Sequence, residues 1–276
     1  MRLFWRMTVR AFTECIQSTF YICTTIVTIL SLSGALYWAV RYGIVKPIPL
    51  DVKEYSLSLV IMGILLVGII GCGAGLGKSI LHDRIRHREI ELIERRDYGI
   101  CLLGKMTGFG AAGCVQLFLY MLLTIVVLNY YDVQGVMLYT NIWINLSYLT
   151  PTFSVYLVLF FILGFLQYAS LYIAAGSLLS KTYACLTSII VLLLFAVVIF
   201  LFLGVPTGQF DFVMKVVSLI PYVTPFLMIM RLTTEHVGCF QVILRVMIMV
   251  GAIWINTYIT LRIYEVGFRN KKDSTR

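Results

Sequence analysis

The chain has 276 residues, 60% of them apolar and only 13% charged, with a formal charge of +9. Soluble domains run about 45–50% apolar and about 25% charged, so most of this chain's surface is expected in lipid. Its Lys and Arg gather at the ends of apolar runs, where the positive-inside rule puts them, which turns the basic excess away from nucleic acid.

Residues 1–17 open the chain with Arg2, Arg6 and Arg10 every fourth position, on one helical face. With Leu3, Phe4, Trp5 and Phe12 they predict a helix at the inner membrane surface. A first span is predicted over 18–40, since about 20 helical residues cross a core of ~30 Å. Tyr37, Trp38 and Tyr42 mark its outer interface, and Pro47 and Pro49 break the short loop that follows.

The second predicted span, 56–77, ends in GCGAGLGKS. A phosphate-binding loop would need glycine at position 72, which is Cys72, so that motif is absent. Gly71, Gly73, Gly75 and Gly77 form two nested GxxxG pairs and predict close helix packing.

A charged island, 78–105, comes next. Arg84, Arg86, Arg88, Arg95 and Arg96 interleave with Glu89, Glu91, Glu94 and Asp97. Its basic excess predicts a cytoplasmic location, and it is the longest polar stretch available there to a soluble partner. Glu91 and Arg95 stand one helical turn apart, which fits a short helix across the inner face.

Further spans are predicted over 106–128, 151–176, 184–204 and 239–263. The outer loop 129–150 has no Lys or Arg. Between the fifth and sixth spans, VSLIPYVTPFLMIMRL (217–232) is too short and too interrupted to cross as one straight helix. Pro221 and Pro225 predict a hairpin over 210–232 that dips into the outer leaflet and returns, buried by protein. Arg245 lies inside the sixth span, near enough to its outer end to snorkel outward. The sum is an all-α membrane protein, one permease-like domain over 1–276, multi-pass in the plasma membrane with both termini cytoplasmic.

Reactive constellations are scarce. Seven cysteines, Cys15, Cys23, Cys72, Cys101, Cys114, Cys185 and Cys239, are odd in number and form no CxxC, so they read as apolar fillers. His82, His87 and His236 form no HExxH. The predicted interiors of spans two to five hold no charge, where ion-coupled carriers keep carboxylates. No catalytic residues and no metal site are expected, nor any energy source within the chain.

Three segments resemble the permease subunits of type-2 ABC exporters, in the branch of sodium-extrusion and peptide-resistance permeases. They are EIELIERRDYGICLLGK (89–105), LQYASLYIAAGSLLSK (166–181), and SLIPYVTPFLMIMRL (218–232) followed by RIYEVGF (262–268). The resemblance implies six spans, a coupling helix within 84–100 that meets an ABC ATP-binding subunit, an outer proline hairpin, and pairing with a second permease, identical or related. Only residues 41–55 stand where many sodium-extrusion relatives carry a large outer domain, so a peptide or lipid-like substrate fits better than sodium. On this reading Arg88, Glu91, Glu94 and Arg95 dock the ATPase, and Pro221, Pro225 and Arg231 form the outer gate. The chain itself is then no enzyme and holds no cofactor; ATP and magnesium belong to the partner. The remaining partners are membrane lipids, and no nucleic acid is expected. The alternative is a non-transporting immunity or sensor protein that binds a peptide or lipid.

Overall fold

The computed structural model describes residues 2–18, 21–23, 25–30, 50–86, 98–133, 151–177, 193, 196, 215–234 and 237–273. These are all-helical, without strands. Six helices are named here: α1 (Arg2–Gln17), α2 (Leu50–Arg86), α3 (Tyr98–Val133), α4 (Pro151–Ser177), α5 (Thr224–Thr234) and α6 (Cys239–Asp273). A shorter apolar helical stretch, Tyr21–Leu30, follows α1. Most of the predicted spans 184–204 and 18–40 lies outside the described residues.

Among the described residues four helical segments are long and apolar enough to cross a membrane: Ile61–Asp83, Gly99–Leu122, Thr152–Ser177 and Cys239–Tyr264. Pro151 starts α4, a position where its missing N–H costs nothing. Ser18 ends α1 and caps the next stretch: its amide donates to the Cys15 carbonyl (3.1 Å), and its Oγ accepts from the Tyr21 amide (3.1 Å).

Lipid gives apolar helices no solvent reason to associate, so close backbone approach carries the packing. The nested glycines of α2 serve two neighbours. A Cβ added at Gly73 would lie 2.4 Å from the Tyr172 ring, and one at Gly77 3.0 Å from the Tyr172 carbonyl oxygen, both on α4. A Cβ at Gly75 would meet the Phe109 ring of α3 at 3.0 Å. Gly71 is buried. On α3, Gly104 and Gly108 admit the backbone of α1, an added Cβ at Gly108 falling 2.5 Å from the Thr8 carbonyl oxygen.

These pairings fix the helix directions. Asp83 pairs with Lys105, and Cys72 lies beside Gly113, so α3 runs antiparallel to α2. Gly68 faces Phe161 and Gly77 faces Gly176, so α4 runs parallel to α2. Asn256 reaches Tyr222 beside Tyr168, and Thr260 bonds the Ser170 carbonyl, so α6 runs parallel to α4. Tyr21 bonds the Ala112 carbonyl and Thr25 bonds Gln116, so Tyr21–Leu30 runs with α3.

One core cluster joins α2, α4, α5 and α6 around Phe160, Tyr168 and Phe226. A second, at the island end, joins α1 to α4 around Ala11, Leu76, Phe109 and Ile173. Two thirds of the α4 span (67%) is buried inside the protein, against 17% of the α6 span. α6 is therefore peripheral, with Phe240, Met247 and Trp254 on its open side.

Candidate functional site

Two polar assemblies stand out, one at each end of the bundle, because buried polar groups in such a setting need partners.

The first lies at the roots of the island. The sequence places 78–105 between two spans, but its two ends belong to helices: α2 runs on to Arg86 and α3 starts at Tyr98. Gly77 is the last helix-weakening residue before that continuation, since 78–98 holds neither Gly nor Pro. Asp83 and Lys105 meet in an ion pair, 8% and 5% exposed. Lys105 Nζ also donates to Ser79 Oγ (3.3 Å), and Ser79 Oγ donates to Glu14 Oε2 (3.1 Å). Glu14 in turn accepts from Arg10 Nε at 3.0 Å. One chain of contacts thus joins α1, α2 and α3. Asp83 and Lys105 lie just beyond the predicted spans 56–77 and 106–128, at the island ends of the longer apolar helical segments Ile61–Asp83 and Gly99–Leu122. Each is tolerable at that depth because the other neutralises it. Arg88, Glu91, Glu94 and Arg95 lie outside the described residues.

The second assembly surrounds the two prolines. Val216 and Val217 carbonyls accept from the Leu219 and Ile220 amides, both at 3.0 Å, and the Ile220 carbonyl accepts from Val223 at 2.9 Å. Pro221 is the second residue of that last turn, where its fixed φ is already correct and no amide is wanted. Pro225 sits in the first turn of α5, a position that tolerates its missing N–H. Neither proline therefore breaks a helix; one shapes the turn and the other opens α5. Thr224 Oγ1 closes the turn on the Ser218 (2.9 Å) and Ile220 (2.8 Å) carbonyls.

Three side chains of α6 hold this segment. Arg245 Nε donates to Ser218 Oγ at 2.9 Å and its Nη1 to the Gln241 carbonyl at 3.0 Å. Asn256 Nδ2 donates to Tyr222 Oη at 2.8 Å. Gln241 Oε1 accepts from Arg231 Nη2 at 3.3 Å. Arg245 is only 4% exposed, which corrects the expectation that it snorkels outward: its Nε is held by the hydroxyl of the fully buried Ser218. From Ser218 through Tyr222 to Arg231 the partners on α6 run 245, 256, 241. The segment thus turns down along α6 and comes back toward its first turn. On α4, Tyr168 Oη donates to the Tyr222 carbonyl, and an added Cβ at Gly164 would meet Pro225 at 3.0 Å. That level is about 20 Å from the start of α4. Val223 to Arg231 are buried without a break, so α5 is enclosed by α2, α4 and α6.

Between the two assemblies, the buried Gln116 amide donates to Thr25 Oγ1 (3.1 Å) and to Tyr120 Oη, joining Tyr21–Leu30 to α3. Sequence reasoning passed over it, although it is the one amide in the predicted third span. It also passed over Asp83, Lys105, Ser79 and Glu14, and over the Tyr168, Tyr222 and Asn256 set. Among the described residues no three His, Cys, Asp or Glu side chains are grouped to hold a metal ion.

No family model matches the chain. It is 21% identical, over 167 residues or 60% of its length, to an uncharacterized protein of Methanocaldococcus jannaschii. The chain spans 38% of that relative's length.

Proposed function

We propose that this chain is the membrane-embedded permease subunit of an ABC exporter. It passes a peptide, lipid-like or other amphiphilic substrate, and a separate subunit hydrolyses the ATP. Six spans, an interfacial α1 and a re-entrant hairpin belong to the proposal, with both termini cytoplasmic and two permeases meeting two ATP-binding subunits.

The observation that carries the reading is the enclosed segment 218–231. A helix of 11 residues, α5, is about 16 Å long, half a bilayer core. Its approach turn reaches mid-depth beside Gly164 and Tyr168 and it returns to the first turn of α6, which supports a hairpin entering and leaving on the same side. This is the stretch whose residues resemble the exporter permeases most specifically. The helix directions support the span count: α4 and α6 run parallel, so the chain must recross between them, and the apolar run 184–204 lies in that interval.

The island-end assembly supports coupling. Residues 87–97 are rooted in two helices clasped by Asp83 and Lys105. A push on that segment, by the proposed ATPase at Arg88, Glu91, Glu94 and Arg95, would be delivered to α2 and α3 together. α2 packs on α5 through the core that includes Ile69 and Phe226, which gives such a push a route to Pro221 and Pro225.

Co-expression with an ABC ATP-binding protein tests the reading. A stoichiometric complex that survives purification, with ATPase activity altered by the permease, is expected. A permease that purifies alone, binding a peptide or lipid with no ATPase partner, favours the immunity or sensor alternative.

A further inference from the structure

α1 has two unlike faces. Toward α3 it buries Ala11 and Cys15, each 1% exposed, and sets the Thr8 backbone against Gly108. Away from α3 it leaves Trp5 67% and Val9 43% exposed, with Arg6 and Arg10 exposed beside them. Neighbouring positions on a helix are about 100° apart, so Trp5 and Val9 form one flank of the open face and Arg6 and Arg10 the other. Water suits the first flank poorly and hydrocarbon the second. The boundary between phospholipid headgroups and acyl chains suits both.

The charge of this face has a definite sign. α1 carries Arg2, Arg6 and Arg10, and Glu14 is its only acidic residue. Glu14 accepts from Arg10 Nε at 3.0 Å through one oxygen and from Ser79 of α2 at 3.1 Å through the other, so one carboxylate offsets one of three arginines and the helix stays net positive.

We infer that the open face of α1 docks on anionic phospholipid of the inner leaflet. Arg6 and Arg10 take the phosphate oxygens, and Trp5 and Val9 sit at the acyl boundary. The inference rests on the proposed reading in which α1 lies on the inner side, where anionic lipids concentrate. It adds the class of lipid and the residues that select it. Guanidinium forks suit phosphate oxygens.

The test uses the full-length protein in nanodiscs of phosphatidylcholine, with or without phosphatidylglycerol, and follows amide exchange over 3–17. Phosphatidylglycerol is expected to slow exchange in α1 and leave α4 unchanged. Each arginine replaced by glutamine should weaken that protection about fivefold, so R6Q/R10Q should lose it while R6K/R10K keeps most of it. Unchanged α4 exchange in R6Q/R10Q separates loss of docking from loss of fold. Equal exchange in both lipids overturns the inference, as does a lipid effect that survives R6Q/R10Q. Protection by inorganic phosphate in phosphatidylcholine discs would overturn it too, by showing a soluble-anion site. Protease access to an N-terminal tag reads the sidedness independently. With the tag inside and no lipid effect, only the docking falls; with the tag outside, the inner-side reading falls and takes the docking with it.

Discussion

Asp83 and Lys105 form an ion pair across the two roots of the basic island, and both side chains are almost wholly buried. Burying two charges is costly, and a single deletion leaves the other uncompensated. Lys105→Met is therefore expected to destabilise the protein by about 3–5 kcal/mol, while Asp83→Leu combined with Lys105→Met should recover most of that loss. Thermal or denaturant unfolding in detergent checks this. A double variant as unstable as the single one would show that the pair is not the unit of stability.

The glycines of α2 differ in what they meet. Gly73→Ala drives a methyl into the Tyr172 ring, and Gly63→Ala meets nothing within 4 Å. The first should cost about 1–3 kcal/mol; the second should be neutral or stabilise by about 0.5–1 kcal/mol. Tyr172→Ala should relieve Gly73→Ala. It should not relieve Gly176→Ala, whose added Cβ lies 2.6 Å from the Gly77 carbonyl oxygen. Melting temperatures of the four single variants and two doubles decide it.

α1 is held by backbone proximity. The hydroxyls of Thr8 and Thr107 are 3.1 Å apart, so a Thr8→Cys/Thr107→Cys pair should oxidise readily to a disulfide. Gly108→Val, whose side chain would overlap the Thr8 carbonyl and the Phe12 amide, should suppress the cross-link. Gel mobility without reductant reports both.

Arg245 stabilises the proline turn through Ser218. A hydrogen bond from a charged donor is worth about 1.5–3 kcal/mol, so Arg245→Met should raise amide exchange over 218–223 by about tenfold or more. Exchange in α1, at the other end of the bundle, should not change.

What the sequence made legible follows from the kind of signal each feature leaves. Apolar length is a local property, and the runs predicted over 56–77, 106–128, 151–176 and 239–263 fall on α2, α3, α4 and α6. The prolines were legible as a disturbance, since 217–232 could not be a straight span; that Pro221 fits a turn and Pro225 a first helical turn required the neighbouring hydrogen bonds. Helix ends were not legible where charge and helix coincide. Lys78 to Arg86 and Tyr98 to Lys105 read as part of the charged island, not as the ends of spans, because hydropathy weighs their charges and ignores who neutralises them. Pairing of Asp83 with Lys105, 22 positions on, depends on two helices folding antiparallel. Arg245 shows the same limit: its outward reach was argued from its own helix, and its partner Ser218 belongs to another segment. The glycine pairs of α2 announced close packing, but not that Gly73 and Gly77 serve α4 while Gly75 serves α3.

Glu91 and Glu94 carry the proposed docking. Reversing both, Glu91→Lys and Glu94→Lys, should abolish co-purification with the ATP-binding subunit while leaving the melting temperature of the permease unchanged. Undiminished binding would remove these residues from the interface.

The central claim is that this chain is a conduit driven by a separate motor. Vesicles holding a fluorescent amphiphilic peptide, reconstituted with this chain, with the proposed ABC ATP-binding subunit, or with both, test it directly. Peptide movement is expected only when both chains and hydrolysable ATP are present. Movement by this chain alone, or peptide binding without movement when both chains and ATP are supplied, would contradict the account.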